Sequence, residues 1–239
     1  MNKIYLKLIG ASVAITMVIS LFSAIGIAFE FSDNGVIMCQ IAAFLICGVV
    51  IFLYMKKKDH TLKQFGFNRI RPSRKLIGFM GVVILIQPII LGVNFNYSFS
   101  TLMLILVQMM LVGFVEETFF RGVFFYSLKT KLRKNRIFFS SIVFGLLHIA
   151  SSLNPETAFI LVILQIINAL LLGFVFSVIY DKNHSIYIVV VFHGLFNVFA
   201  TISNGSTVEK NITAVLVLSI LYILFLIYSR VTAIDSKKR

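Results

Sequence analysis

The chain has 239 residues, 59% of them hydrophobic and only 13% charged, and 22 Lys and Arg against 9 Asp and Glu give it a net charge of +13. Soluble domains carry about a quarter charged residues, so a water-soluble fold is excluded and lipid must solvate much of the surface. The positive excess belongs to loops held in the cytoplasm, no nucleic-acid partner is expected, and the length fits one integral membrane domain over 1–239 with no second globular unit.

Lys3 and Lys7 precede an apolar run at 8–29. It is longer than the apolar stretch of a cleaved signal peptide and lacks an A-x-A site, so it reads as a retained first span. Further runs lie at 35–55, 76–93, 101–120, 137–150, 158–180, 186–202 and 212–229. Most approach the ~20 residues a spanning helix needs. The fifth and seventh are short, and each contains a histidine. The expected fold is an all-α membrane bundle of about eight transmembrane helices, with a motif-bearing core at about 101–202.

Basic and non-basic loops alternate. The 56–75 loop holds eight Lys and Arg, and the 129–136 loop carries Lys129, Lys131, Arg133, Lys134 and Arg136. Lys182 stands in the 181–185 turn, and Arg230, Lys237, Lys238 and Arg239 in the tail. The 30–34 and 94–100 loops have no basic residue, and 151–157 has only Glu156 as a charge. The positive-inside rule then places both termini in the cytoplasm. Phe65, Phe67, Ile70 and Leu76 among basic residues make 56–75 either a plain charged loop or a stretch lying on the anionic leaflet.

Cys39 and Cys47 are the only cysteines. Eight residues apart on one helix, they stand about 12 Å apart along the axis, too far for a disulfide. Gln40, Gln87, Gln108, Gln165 and Asn168 are isolated span polars, read as interhelical hydrogen bonds.

Charges inside a span are costly and are functional candidates by default. The fourth span carries Glu116 and Glu117, followed by Arg121. Glu117 and Arg121 share a helix face and can neutralise each other. Glu116 points about 100° away and is left for other work. His148 follows Phe144 by four residues in the fifth run, and Asn197 follows His193 by four in the seventh. His60 and His184 fall in loops and read as solvated. Counting about 1.5 Å per residue from the basic edges puts Glu116, His148, His193 and Asn197 within one layer. A lone intramembrane histidine is more often a packing residue, and a Glu–Arg pair can be a clasp. Three helices supplying such groups at one level favour a site. Carboxylate and imidazole can bind a metal or activate water, and Asn and His can donate to an oxyanion. No H-E-x-x-H or G-x-S-x-G occurs.

These segments resemble the type II CAAX prenyl protease and bacteriocin-processing family, also called CPBP or Abi proteins. Its pattern is E-E-x-x-x-R, F-x-x-x-H and H-x-x-x-N. Glu116, Glu117 and Arg121 match the first motif, Phe144 and His148 the second, His193 and Asn197 the third. The resemblance implies an eight-span intramembrane endopeptidase in which Glu116 and His148 activate water. His193 and Asn197 would hold the oxyanion, and Glu117 and Arg121 would orient the site. It leaves open a divalent metal such as zinc on Glu116, His148 and His193, or no cofactor. The implied partners are a hydrophobic peptide or membrane-protein substrate and membrane lipid. The implied location is a cell membrane, with the composition pointing to a bacterial plasma membrane, and the implied role is bacteriocin or signal-peptide processing or self-immunity. Two other readings fit the same residues: a non-catalytic peptide-binding immunity protein, and a proton-coupled transporter relaying through Glu116 and Glu117.

Overall fold

The structure, a computed structural model, describes residues 3–153, 157–204 and 207–235, with side chains described as far as Arg230. Glu156, Lys237, Lys238 and Arg239 lie outside the described residues. Among those described there is no strand, only a single bridge between Val93 and Ser203.

Among the described residues, eight helical rods build the bundle. They are α1 (Lys3–Ala28), α2 (Asp33–Lys58), α3 (Arg74–Leu91), a composite fourth rod, α6 (Arg133–Leu147) with a 3-10 extension at His148–Leu153, α7 (Phe159–Asn183), α8 (Ile186–Thr201) and α9 (Val208–Asp235). The fourth rod runs α4 (Phe99–Glu117), a π-helical turn (Thr118–Val123) and α5 (Phe124–Ser127). Seven rods are long and apolar enough to cross a membrane. The eighth, α8, has 16 residues and rises about 24 Å, short of the ~30 Å hydrocarbon thickness. The expected fifth run is longer than strict hydropathy suggests, because α6 begins in basic residues and continues as a 3-10 helix to give a span at Arg133–Leu153.

The helix starts follow local chemistry. Ser32, Ser73 and Ser98 each accept a backbone N–H of the first turn, which satisfies one of the donors a helix start leaves open. Lys56, Lys57 and Lys58 end α2, where cations complement the helix dipole. Exposed Leu, Ile, Val and Phe run along the outer faces of α1, α2 and α9, as expected where lipid is the solvent.

The chain ends of the rods pair at two levels. At one, Asn94 N–H donates to Ile202 O (2.8 Å) and Asn204 N–H to Gly92 O (2.9 Å). At the other, Ile186 N–H donates to Gly66 O (2.7 Å) and Asn68 Nδ2 to His184 O (3.0 Å). Arg133 and Arg136 both pair with Asp181, and Lys182 Nζ donates to Ser229 O. The basic loops 56–75, 129–136 and 181–185 are thereby gathered on one face. The 56–75 loop packs in part against the bundle: Phe65 is fully buried with its ring tilted against Tyr126, and Phe67 meets Tyr187 edge-on. Gly66 has φ +84° and packs directly on the Tyr180 ring, so a side chain there would be strained and would clash. Ile70 remains exposed.

Three of the five isolated polar residues, Gln40, Gln108 and Asn168, make the expected interhelical hydrogen bonds, and Gln87 and Gln165 show none among the described residues. Gln108 donates to Gln40, Gln40 donates to Ser23, and Tyr222 O–H donates to Asn168. These link α4 to α2, α2 to α1 and α9 to α7. Cys39 and Cys47 are free thiols. His60 and His184 are exposed.

Candidate active site

The fourth rod changes pitch beside its charged residues. After Glu117 the α-ladder widens into the π-turn Thr118–Val123, a feature concentrated at functional sites. The change of ladder leaves carbonyls short of partners, and side chains supply them. Thr118 Oγ1 lies 2.7 Å from Phe114 O and 3.1 Å from Val115 O, and Ser140 Oγ of α6 donates to Phe120 O at 2.7 Å.

Two glycines bring α4 and α8 together. A Cβ on Gly113 would stand 2.8 Å from Gly194 N and 2.9 Å from Val190 O; one on Gly194 would stand 3.2 Å from Met110 Cα. Only backbone-to-backbone approach of this kind lets short side chains meet across the pair. It places Glu116 and Glu117, three and four residues after Gly113, against His193, the neighbour of Gly194.

At this crossing a buried relay forms. Glu117 Oε1 accepts from His193 Nδ1 at 2.9 Å and from Arg121 Nη1 at 3.2 Å. Glu117 Oε2 lies 3.1 Å from Arg121 Nε as an ion pair without hydrogen-bond alignment. Glu117 and Arg121 are both 0% exposed, and His193 is 3% exposed. Arg121 Nη2 donates to Gly173 O at 3.0 Å, and its guanidinium lies 4.6 Å from the Phe144 ring centroid and 5.4 Å from that of Phe176. Gly173 is required here because a Cβ would come within 2.9 Å of Phe144 Cδ1. An isolated charge so buried would be very costly, but this one is paired, hydrogen-bonded and stacked on aromatic faces.

Glu116 is placed differently. Its side chain is 21% exposed, and Oε2 stands 3.8 Å from His193 Nε2. That is too long for a hydrogen bond, and the buried Oε2 has no hydrogen-bond partner. His193 Nδ1 donates to the Glu117 carboxylate, so Nε2 is the ring nitrogen that faces Glu116.

His148 sits at the joint between α6 and its 3-10 extension. Its Nδ1 donates to Phe144 O at 3.0 Å, which leaves Nε2 as the basic nitrogen. The Phe144 ring lies 5.0 Å from the His148 ring and 5.8 Å from the His193 ring, so one aromatic separates and orients both imidazoles. Glu116, Arg121 and His193 are all within electrostatic reach of His148. Asn197 is half-buried one turn beyond His193, and its side chain makes no hydrogen bond among the described residues.

The arrangement thus brings Glu116, Glu117, Arg121 and His193 into one contact set, with His148 joined to it through Phe144 and Asn197 alongside. No three His, Cys, Asp or Glu side chains among the described residues converge to hold one ion. Glu116, His148 and His193, the set on which a metal was left open, do not form a ligand shell with these side chains as they stand. Sequence reasoning missed Gly113, Gly194 and Gly173, which set the approach, and Phe176, whose ring lies 5.0 Å from that of His193. Small residues inside apolar spans were the available signal for the glycines.

Residues 98–199 match the family model described as Type II CAAX prenyl endopeptidase Rce1-like. The match runs from the start of α4 nearly to the end of α8 and contains every residue of the site. Together with seven long apolar helices, it makes the chain a multi-pass membrane protein. No curated protein matches it.

Proposed function

We propose that this chain, which matches the Rce1-like family model over residues 98–199, is an intramembrane endopeptidase that hydrolyses a peptide bond with carboxylate- and imidazole-activated water. The family as a whole suggests a CAAX-type protease. The observation that carries the chemistry is the unpaired Glu116 Oε2, 3.8 Å from His193 Nε2 and backed by the buried Arg121–Glu117–His193 relay.

In this reading Glu116, assisted by the free Nε2 of His148, takes a proton from water, and the hydroxide oxygen attacks the scissile carbonyl carbon. The carbonyl oxygen becomes an oxyanion, which accepts hydrogen bonds from Asn197 Nδ2 and from Nε2–H of His193, whose ring enters the cycle with a proton on each nitrogen and keeps both throughout. Glu117 on Nδ1 balances the charge of that imidazolium. Collapse of the tetrahedral carbon breaks the C–N bond, and the protonated Glu116 gives its proton to the departing amine. Glu117 and Arg121 touch no reacting atom and act by holding the His193 ring.

A hydrophobic peptide or membrane-protein tail suits a site buried among apolar helices, and bacteriocin processing or self-immunity is the proposed setting. The proposed topology puts the basic face, and both termini, on the cytoplasmic side of a bacterial plasma membrane. The test compares membrane peptidomes by mass spectrometry in cells lacking the native gene and expressing wild type or Glu116→Gln at matched membrane levels. Peptide ends present only with wild type are expected. Indistinguishable peptidomes, with a native phenotype still rescued by Glu116→Gln, would refute hydrolysis and favour a binding role.

A further inference from the structure

A large cavity lies away from the site. It has a volume of about 970 Å³ and opens between α1, α2 and the fourth rod. Its size is at the upper end for ligand pockets, suited to a long amphiphile rather than a small ion. The walls are apolar, with Ala11, Ile15, Ile51, Phe119 and Val123 among them, and the basic end carries Lys3, Lys7, Lys58 and Lys129.

Local packing explains why it is there. Gly26 closes α1 onto α2 at the opposite end, where a Cβ would stand 3.2 Å from Val36 Cα. Towards the basic face α1 presents small residues, Ala11 and Ala14, to the cavity. None of the four lysines has a carboxylate partner among the described residues; Lys129 Nζ lies 4.5 Å from the Tyr126 ring centroid. Asp59, the acidic neighbour of Lys58, spends its oxygens on Thr61 and Gln64.

We propose that this cleft is a binding site for one anionic phospholipid, with an acyl chain in the apolar furrow and the headgroup phosphate among Lys7, Lys58 and Lys129. The argument for this occupant is charge complementarity. A purely apolar furrow would take any lipid tail, whereas four ammonium groups at its mouth, none with a carboxylate partner among the described residues, select a negative headgroup. The site is distinct from the reaction centre, but Phe119 and Val123 belong to the π-turn that carries Arg121. A bound lipid therefore rests on the back of the segment that holds the relay.

The test uses the purified full chain reconstituted in equimolar phosphatidylglycerol and phosphatidylcholine, with retained lipid counted by native mass spectrometry. Each lysine near an anionic phosphate favours binding by about fivefold, so wild type is expected to retain phosphatidylglycerol over phosphatidylcholine by about tenfold or more. Lys7→Gln/Lys58→Gln/Lys129→Gln should abolish that preference. Ala14→Phe, which fills the furrow and keeps every charge, should lose the retained lipid and decides the matter if the triple variant does not fold. Lys63→Gln/Lys75→Gln/Lys131→Gln, on the same face but away from the cleft, should behave as wild type. Equal retention of the two lipids by wild type would overturn the proposal, as would unchanged retention in the Ala14→Phe variant. Loss in the distant triple variant, or displacement of the lipid by inorganic phosphate, would do the same.

Discussion

The Glu117–Arg121 pair predicts a strongly non-additive response to mutation. In Arg121→Met the Glu117 carboxylate keeps the His193 Nδ1–H at 2.9 Å but loses both guanidinium contacts, at 3.1 and 3.2 Å. In Glu117→Leu the guanidinium keeps only Gly173 O and the aromatic faces, at 0% exposure. Breaking one side of a buried ion pair costs about 3–5 kcal/mol, because the surviving charge stays buried. The double variant buries no charge and loses mainly the His193 Nδ1 and Gly173 O hydrogen bonds, each about 1 kcal/mol. Two singles at about 3 kcal/mol or more and a double at about 2 kcal/mol leave a coupling of at least about 4 kcal/mol. Reversible unfolding of all four proteins in one detergent mixture measures it. All three variants should also lose peptidase activity, the double included, because each frees the His193 ring. Additive singles, with a coupling below about 0.5 kcal/mol, would refute the pair as a buried unit. An active double variant would refute its positioning role.

Other expectations follow from the same geometry. Glu116→Gln should leave the unfolding midpoint unchanged, since Oε2 has no hydrogen bond to lose, while turnover falls by about 100-fold or more; a large loss of stability would make Glu116 a structural residue. Gly113→Val should destabilise by about 1–3 kcal/mol and abolish activity, because its Cβ would strike the backbone of α8 at 2.8 Å. Gly81→Ala, with nothing within 4 Å of the added carbon, should be neutral or slightly stabilising in the same assay. Asp59 is held below its ordinary carboxylate range by hydrogen bonds from the Gln64 backbone and the Thr61 hydroxyl. A depressed folded-state value means the turn is fully stabilised above about pH 4 and loses that contribution as pH falls through the lower folded value. Hydrogen exchange at the Gln64 amide should accelerate in that window for wild type and be fast throughout in Asp59→Asn.

What the sequence made legible was whatever lies within one helix. Glu117 and Arg121 were expected to pair because four residues is about one turn, and they do. Phe144 and His148 were expected on one face, and their rings touch. Relations between helices were less legible. Counting rise along each span put Glu116, His148, His193 and Asn197 near one level, but level alone does not say which carboxylate meets which imidazole. That Glu117 takes Nδ1 of His193 while Glu116 faces Nε2 depends on how α4 crosses α8. The crossing is set by Gly113 and Gly194, which carry no chemistry and drew no notice. Phe65 shows the same limit in the other direction. Its basic neighbours suggested the leaflet, yet the left-handed turn at Leu62 and Gly66 carries its ring inward to Tyr126. A backbone reversal decides its side, and hydropathy does not register one.

The proposed division of labour between the two glutamates rests on this placement. A base must release its proton again, so it cannot be locked in an ion pair, whereas a residue that fixes a histidine works best when it is. The Glu-Glu pair satisfies both demands from adjacent positions because one helix turn of about 100° per residue sends one side chain into the packed α4–α7–α8 interior and the other towards the half-buried His148. Making the same substitution in each of the two environments is the sharpest test of that logic. Glu116→Gln and Glu117→Gln remove the same charge from neighbouring residues, yet only the second leaves Arg121 buried without its counterion. The first should therefore impair turnover in a protein of normal stability, and the second should impair both. Equal effects on stability would mean that the two carboxylates share one environment, and that the separation of roles drawn from 0% and 21% exposure is wrong.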